Sequence, residues 1–397
     1  MNSRARFWLS RLHEMCRQGI FNSKFMARTS HQNLTLQTSR RIPAVGIALI
    51  LIIISCCSSI VRAFTSADAD TLLDAHTTAF YRMTNGGAFY QKSTRGNKPA
   101  DFWTEAEQLE MVLDAYERTS NAVQLVMFTN LVNGFVTEHG VNWNHNPYND
   151  DIMWMVIALT RAHQLTGNLE FLAMAQVNFD LCYARAASTN LGGGLWWKVD
   201  VRSKNACVNG PGSIAAFLLG KATGKINYYV IATNLFLWER ATLFDAATGK
   251  ISDSVHENGR LARFALTYNQ GTFVGAANFL GYTNEARLAA LYTMNQMCNN
   301  GYLPGEGEEG DSGGFNGIAV RWIARFMNDR GEQTAFEPWL QKNAEAAWKS
   351  RRMTDDLSWC RWPQPTPQGH RFSWGCSSAV VMLQVVRPTG IVKINSN

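Results

Sequence analysis

Two adjacent carboxylates, Asp150 and Asp151, stand where a polar segment (142–149) becomes an apolar run with helical spacing (152–165). A single Asp at the start of a helix is ordinarily a cap that accepts hydrogen bonds from unpartnered backbone N–H groups. Two neighbouring carboxylates repel each other, so one of them should have a raised pKa. Glycoside hydrolysis needs a protonated acid beside an ionised partner, and the pair therefore predicts catalysis as well as capping.

Side chains suited to sugar binding recur in other polar segments of the chain. Gly192–Trp197 joins three glycines to two Trp, whose faces could stack on a pyranose ring; a turn with buried Trp is an equal alternative. Asn209 and Asn269 each stand before an apolar run, where a helix cap is the competing interpretation. The candidate substrate-binding residues are Trp103, Tyr148, Asn149, Trp196, Trp197, Asn209, Tyr268, Asn269, Gln270, Asp311 and Trp374.

An acidic, glycine-rich segment at 305–311 has two interpretations. It could hold calcium, but its spacing does not fit an EF-hand, so a solvated loop is favoured. Asp311 could add a third carboxylate to the cleft, and Arg321 is interpreted as a structural ion-pair partner. His145, His256 and His370 lack metal-ligand spacing. We therefore expect neither a metal nor a cofactor.

A second Asp pair, Asp355-Asp356, shows that the dipeptide alone is weak evidence for catalysis. It follows Arg351 and Arg352, so a solvated, charge-balanced surface is the default interpretation.

The composition indicates a large folded core and excludes some classes of partner. The chain has 397 residues, of which 46% are hydrophobic and 17% charged, too few charges for a disordered chain. The net charge of +6 comes from the first 63 residues. The remainder carries 28 basic and 30 acidic side chains, close to neutrality, which gives no electrostatic case for nucleic acid.

Residues 1–63 are interpreted as a basic leader followed by an export signal. An apolar run from Ile42 to Ile54 follows Arg40-Arg41 and precedes small residues, and it is short for a membrane span. Ile53-Ile54-Ser55-Cys56 also resembles a bacterial lipoprotein box. We expect secretion, with membrane attachment only through this segment, and a monomer.

Five cysteines follow residue 63: Cys182, Cys207, Cys298, Cys360 and Cys376. Because five is odd, at least one thiol stays free or pairs between chains. Cys360 and Cys376 bracket a proline-rich loop and could bridge it. Five free thiols is an equally weighted alternative.

Helical periodicity dominates residues 64–390, which we interpret as one all-α domain. The pattern predicts helices at 66–82, 102–119, 121–138, 150–166, 168–185, 210–222, 224–244, 270–281, 284–299, 313–329, 332–350 and 376–387. Twelve helices in one domain favour six hairpins closed in a ring, an (α/α)6 toroid, over an open solenoid. The apolar last helix lacks the polar face of a capping repeat, which also favours closure.

Loop length alternates along these helices. Loops after odd-numbered helices are long and rich in Trp, Gly, Asn and Asp, whereas loops after even-numbered helices have only a few residues. In a ring of hairpins the long loops would all lie at one end, before the inner helices. The sequence therefore predicts a single cleft there, with Asp150-Asp151 at one of its helix starts.

Five segments together resemble glycoside hydrolase family 76, the endo-α-1,6-mannanases, over about residues 70–387. They are Tyr148–Asp151 with Trp154, Gly192–Trp197, Asn205–Gly210, Tyr268–Gly271, and Asp311–Phe315 with Gly317 and Arg321. The resemblance implies an (α/α)6 fold and cleavage of α-1,6-mannan with retention. It makes Asp150 the nucleophile and Asp151 the general acid/base, and places Tyr268–Gln270 and Trp196 near sugar subsites.

The sequence leaves other functions open. A transglycosidase that joins mannan chains would use the same residues, and a mannan-binding protein without catalysis would use the same aromatics. A sugar epimerase is disfavoured because the motifs contain few histidines.

Overall fold

A computed structural model describes residues 64–388. The leader, the export signal and the lipoprotein-like box lie outside the described residues. Within 64–388 there are twelve α-helices and seven short strands. The helices are α1 Ser66–Phe80, α2 Phe102–Thr119, α3 Ala122–His139, α4 Asn149–Thr166, α5 Leu169–Ala186, α6 Ala206–Thr223, α7 Ile226–Thr242, α8 Thr267–Leu280, α9 Thr283–Tyr292, α10 Phe315–Arg330, α11 Gln333–Lys349 and α12 Ser373–Val385.

Local sequence explains where many of these helices begin and end. The Asn121 and Asn168 side chains each accept a hydrogen bond from a backbone N–H in the first turn of α3 and α5. Gly167 and Gly224 end α4 and α6 with left-handed φ values of 73° and 70°. These glycines allow the two-residue connections that turn one helix back along the next.

The even-numbered helices form a closed inner ring. Each contacts the next, and α12 returns to contact α2. They are buried around most of their circumference: α4, for example, buries every residue from Ile152 to Ala162. The odd-numbered helices pack outside them. The all-α (α/α)6 toroid is confirmed, and the open solenoid is excluded.

The long loops lie before the inner helices and carry the strands. These are β1 Tyr81–Thr84, β2 Gly87–Tyr90, β3 Ser203–Asn205, β4 Phe244–Asp245, β5 Lys250–Ile251, β6 Ser254–His256 and β7 Leu261–Ala262. β1–β2 and β4–β5 form antiparallel hairpins, and β3, β6 and β7 form a three-stranded sheet. This sheet joins the loop before α6 to the loop before α8. The strands therefore fix the loops at the mouth of the ring.

The inner helices α6 and α8 begin four and three residues earlier than the sequence predicts, which corrects the proposed caps. α6 begins at Ala206, and Pro211 lies inside it although proline favours the first turn. α8 begins at Thr267, whose N–H donates to the Glu306 carboxylate at 3.1 Å. This cap comes from 39 residues away in sequence, so no local pattern reveals it. Asn209 and Asn269 consequently lie inside helices and cap neither.

A buried ion network crosses the inner ring. Arg321 Nη1 on α10 lies 2.6 Å from Glu107 Oε2, and its Nε lies 2.7 Å from Asp114 Oδ2. Arg161 on α4 lies 2.6 Å from Glu110 Oε2 and 2.8 Å from Asp114 Oδ1. The interpretation of Arg321 as a structural ion-pair partner is confirmed. Three inner helices are thus held together by charge in their interior.

All five cysteines of the described part of the chain are free thiols, so Cys360 and Cys376 form no bridge. No helix within 64–388 has the length and apolar character to cross a membrane.

Candidate active site

A cleft of about 630 Å³ opens at the long-loop end of the ring. It is lined by Asp101, Trp103, Tyr148, Asp150, Asp151, Trp154, Trp197, Asn205, Cys207, Asp253, Leu266, Tyr268, Asp311, Ser312 and Phe315. Both members of the Asp pair are present, with five predicted sugar-binding residues: Trp103, Tyr148, Trp197, Tyr268 and Asp311. The parity of loop lengths therefore located the cleft correctly.

Asp150 lies in the first turn of α4 and accepts two side-chain hydrogen bonds through one oxygen. Trp197 Nε1 donates to Asp150 Oδ2 at 2.9 Å, and the Cys207 thiol donates to the same oxygen at 3.3 Å. Asp150 Oδ1 is buried without a partner. Burial raises the pKa of Asp150 to about 6, and the two donors oppose that rise because they stabilise the ionised form. Asp150 is thus ionised near neutral pH, with one free oxygen.

Asp151 has fewer stabilising contacts and more acidic neighbours. Asn146 Nδ2 donates to Asp151 Oδ2 at 2.9 Å, the one side-chain donor that it has. Burial raises the pKa of Asp151 to about 8, and repulsion from Asp150 adds to the rise. Weaker repulsion comes from Asp311 and Asp101. At neutral pH Asp151 therefore holds a proton beside the ionised Asp150.

Asn149 fixes the position of this pair from behind. Its N–H donates to Trp197 O at 2.9 Å, and its Nδ2 donates to Trp196 O at 2.8 Å. Arg185 Nε donates to Asn149 Oδ1 at 2.8 Å. Asn149 is only 1% exposed and does not line the cleft. It joins the start of α4 to the Trp196-Trp197 segment instead of contacting a sugar.

Five more of the predicted sugar-binding residues lie behind the cleft wall. They are Trp196, Asn209, Asn269, Gln270 and Trp374. The sequence prediction for these residues needs correction, because a polar or aromatic residue near the mouth of the ring can equally support the structure around it.

Trp196 and Asn209 hold the glycine-rich segment. The Lys204 ammonium lies 4.7 Å from the centre of the Trp196 ring. Asn209 Oδ1 accepts a hydrogen bond from Leu195 N–H at 2.8 Å. Gly194 packs on Trp238 so closely that a Cβ there would lie 2.5 Å from Trp238 Cδ2. The segment is therefore a packed turn that buries Trp196, as the alternative to sugar stacking predicts.

The other three support neighbouring loops. Gln270 Nε2 donates to the backbone carbonyls of Gly249 and Ala289, each at 3.1 Å. Asn269 Nδ2 donates to Asp253 Oδ1 at 3.3 Å and so holds a carboxylate of the cleft. Trp374 Nε1 donates to Asp311 O at 2.8 Å. Asn269 and Trp374 thus position cleft residues without lining the cleft.

Aromatic rings make up the apolar wall. The rings of Tyr268 and Phe315 stack with their centres 3.9 Å apart. Trp154 lies between Trp103 and Tyr268, at 6.5 and 6.4 Å. Such faces can stack against the apolar surface of a sugar ring.

Several cleft residues escaped the sequence prediction. Asp253 lies in a loop with no pattern around it, Asp101 directly precedes a predicted helix, and Phe315 ends the segment Asp311–Phe315 that resembles the family. None of the three is predicted from the sequence to bind sugar. Cys207 lies next to the Asp150 carboxylate, but its sequence context indicates a core residue. Only its position in the segment Asn205–Gly210, which resembles the family, points to the cleft.

The cleft is strongly acidic. Five aspartates line it, and no lining residue among those described is Lys or Arg. Of the acidic loop, Glu306 caps α8 and Glu308 pairs with Arg371 at 2.6 Å. Asp355 and Asp356 pair with Arg352 and Arg351, as the charge-balanced interpretation predicts. Within 64–388 one group of three metal-ligand side chains lies close together, Glu105, Glu138 and His139, and it does not line the cleft.

Comparison with known proteins gives an independent result. No curated protein matches the chain. The α-1,6-mannanase GH76A of Salegentibacter sp. HEL1_6 is similar in structure, with 28% identity, a TM-score of 0.75, and coverage of 81% of this chain and 98% of that one. An inactive variant of that enzyme, with Asp-to-Asn substitutions at two consecutive positions and α-1,6-mannotriose bound, gives the same TM-score and coverage at 27% identity.

A more distant mannosidase of glycoside hydrolase family 76, Bt3792 from Bacteroides thetaiotaomicron VPI-5482, shares the fold at 16% identity. Its TM-score is 0.69, and the match covers 81% of this chain and 96% of that one. The family model for glycosyl hydrolase family 76 matches residues 65–390, which include every helix described here. The chain therefore belongs to glycosyl hydrolase family 76.

Proposed function

We propose that this protein is a secreted, retaining glycoside hydrolase that cleaves α-1,6-mannosidic linkages in mannan or mannose-rich glycans. The observation that carries this proposal is the Asp150-Asp151 pair in the aromatic cleft. The similar α-1,6-mannanase supports it, because two consecutive Asp-to-Asn substitutions accompany loss of activity there. Secretion rests on the apolar run at 42–54.

The environments of the two carboxyls support different roles. Asp150 accepts two donors and has a free oxygen, which suits an ionised nucleophile. Burial raises the pKa of Asp151 and repulsion from Asp150 raises it further, which suits a general acid. We therefore assign Asp150 as nucleophile and Asp151 as acid/base.

The reaction proceeds in two steps. Asp151 donates its proton to the glycosidic oxygen while Asp150 attacks the anomeric carbon, so the carbon–oxygen bond to the leaving sugar breaks and a mannosyl ester of Asp150 forms. Asp151, now ionised, then takes a proton from water, whose oxygen attacks the same carbon and releases Asp150. Two inversions retain the α configuration.

The acidic cleft also supports a neutral substrate. With five aspartates and no basic residue among its described lining residues, it repels phosphorylated or uronic-acid glycans. We assign Trp103, Tyr148 and Trp197 to stacking on sugar rings, and Tyr268 and Asp311 to binding hydroxyls, because all five line the cleft.

The test is release of reducing ends from linear α-1,6-mannan by wild type, Asp150→Asn and Asp151→Asn. Loss of general acid–base catalysis alone costs about 10²–10⁴-fold, and we expect at least that for each variant with folding intact. Asp356→Asn is the matched control, because this surface Asp belongs to the second pair and its left-handed φ of 56° suits Asn.

NMR of the first product should show the α anomer, and a β product would overturn retention. Near-full activity in either cleft variant would overturn the residue assignment. Longer chains without new reducing ends would instead identify a transglycosidase.

A further inference from the structure

We propose that Glu105, Glu138 and His139 form a zinc-binding site that joins the first turn of α2 to the last turn of α3. Their ligand atoms all lie within 4.8 Å of one another. The site lies outside the cleft and has no part in the hydrolysis proposed above.

The hairpin of α2 and α3 brings these residues together. α2 runs from Phe102 to Thr119 and α3 returns antiparallel from Ala122 to His139, so the start of α2 faces the end of α3. Glu105 lies in the first turn of α2, and Glu138-His139 closes α3. Joined at one end by a two-residue turn, the hairpin would be fastened by a metal at the other.

Glu105 provides a second, independent observation that points to a ligand at this group. It is 8% exposed, and its Oε2 atom is buried without a hydrogen-bond partner. His139 Nε2 is likewise buried and unpartnered. A buried polar atom without a hydrogen bond is costly, and here two such atoms lie within ion-pair distance of each other.

The separation of these atoms fits a shared metal better than a hydrogen bond. Glu105 Oε2 lies 3.5 Å from His139 Nε2, in a geometry that does not make a hydrogen bond. Zinc binds His nitrogen and carboxylate oxygen at about 2.0–2.2 Å, so two ligands in a tetrahedron lie about 3.4 Å apart. The two atoms therefore already stand at the spacing that one zinc ion would require.

The donor set indicates which metal. One imidazole with two carboxylates suits zinc, whereas calcium and magnesium take oxygen ligands. Glu138 is exposed, so its carboxylate can turn toward the metal, and water would complete four ligands.

The aromatic surroundings hold the histidine in place. The rings of Phe135 and Phe102 lie 4.6 and 4.9 Å from the His139 ring. Burial raises the pKa of Glu105 to about 7, and a bound cation would favour its ionised form. The competing explanation is an ordinary ion pair between Glu105 and protonated His139.

The experiment is a calorimetric titration of the full-length protein with zinc, after EDTA treatment and dialysis. We expect wild type to bind one zinc ion more than His139→Gln, Glu105→Gln or Glu138→Gln, or to bind that ion at least about tenfold more tightly. His145→Gln is the control, since this His is exposed in a loop. Zinc bound elsewhere on the chain contributes equally to all variants.

Two further measurements keep the test decisive. Cobalt in place of zinc should give visible absorption of a four-coordinate ion in wild type and lose it in His139→Gln. Zinc should raise the Tm of wild type but not of Glu138→Gln, whose exposed side chain cannot affect folding by burial. Equal zinc binding in wild type and all three variants, or none in any, would overturn the proposal and leave the ion pair.

Discussion

Replacing Trp197 by Phe tests whether hydrogen bonding sets the ionisation of the proposed nucleophile. Trp197 Nε1 donates to Asp150 Oδ2 at 2.9 Å, while its ring faces Tyr148 at 5.5 Å. Phe keeps much of the aromatic surface and removes the donor. Asp150 Oδ2 would then retain only the Cys207 thiol, a weak donor at 3.3 Å.

The expected magnitude follows from the charge on the acceptor. A hydrogen bond to a charged group contributes about 1.5–3 kcal/mol, and one pKa unit corresponds to about 1.4 kcal/mol. Loss of the bond should therefore raise the pKa of Asp150 by about one to two units from its value of about 6. It would then approach the pKa of Asp151, about 8.

The assay is the pH dependence of kcat/KM. Activity needs Asp150 ionised and Asp151 protonated, so wild type should rise with pH through the pKa of Asp150 and fall through that of Asp151. In Trp197→Phe the acidic limb should shift toward higher pH, and kcat/KM at pH 6 should fall about five- to fiftyfold, with a lower maximum. Trp196→Phe is the control, because the Trp196 side chain donates no hydrogen bond to Asp150.

An unchanged acidic limb in Trp197→Phe would refute the argument. A uniform loss at every pH would show instead that Trp197 acts on the sugar and not on the carboxylate.

Two further predictions concern stability. The pKa of Asp151 is raised in the folded state, so the folded chain holds a proton that the unfolded chain releases, and stability falls as pH rises from about 4 toward about 8. The side chain in Asp151→Asn cannot titrate, so the Tm of this variant relative to wild type should increase between pH 5 and pH 8. A Tm difference that does not change with pH would contradict this prediction. Arg321→Met leaves the buried Glu107 without its ion-pair partner, while Asp114 keeps Arg161, and should cost about 3–5 kcal/mol in urea unfolding. Arg325→Met, in an exposed pair with Asp329, should cost about 0–1 kcal/mol. Similar losses in both variants would show that the buried network is not held by charge.

The fold could be predicted because its signals are local. Periodicity located twelve helices, and Asn121 and Asn168 mark their starts with side chains that act two residues away. The start of α8 could not be located in this way, because Glu306 supplies its cap from a distant loop. A contact between residues far apart in the chain cannot be recognised from a short stretch of sequence.

The site could be predicted in part, because some of its residues also stand in recognisable local segments. Asp150-Asp151 and Trp197 stand in dense polar segments, and the toroid brings such segments to one end. The sequence could not show whether a side chain in a loop points into the cleft or packs against the protein. Trp197 lines the cleft, whereas its neighbour Trp196 packs beneath Lys204. Asp253 was missed because its role depends on the β-sheet that joins two loops and on Asn269 behind it.

The two-residue connections at the end opposite the cleft offer a place for covalent attachment. Lys225 is exposed at the connection between α6 and α7, and it does not line the cleft. The described thiols are buried or half-buried, so a thiol introduced by Lys225→Cys would react first with a maleimide resin. The enzyme would then be attached to the support at the end opposite the cleft, and the cleft would stay accessible to a large polymer in solution.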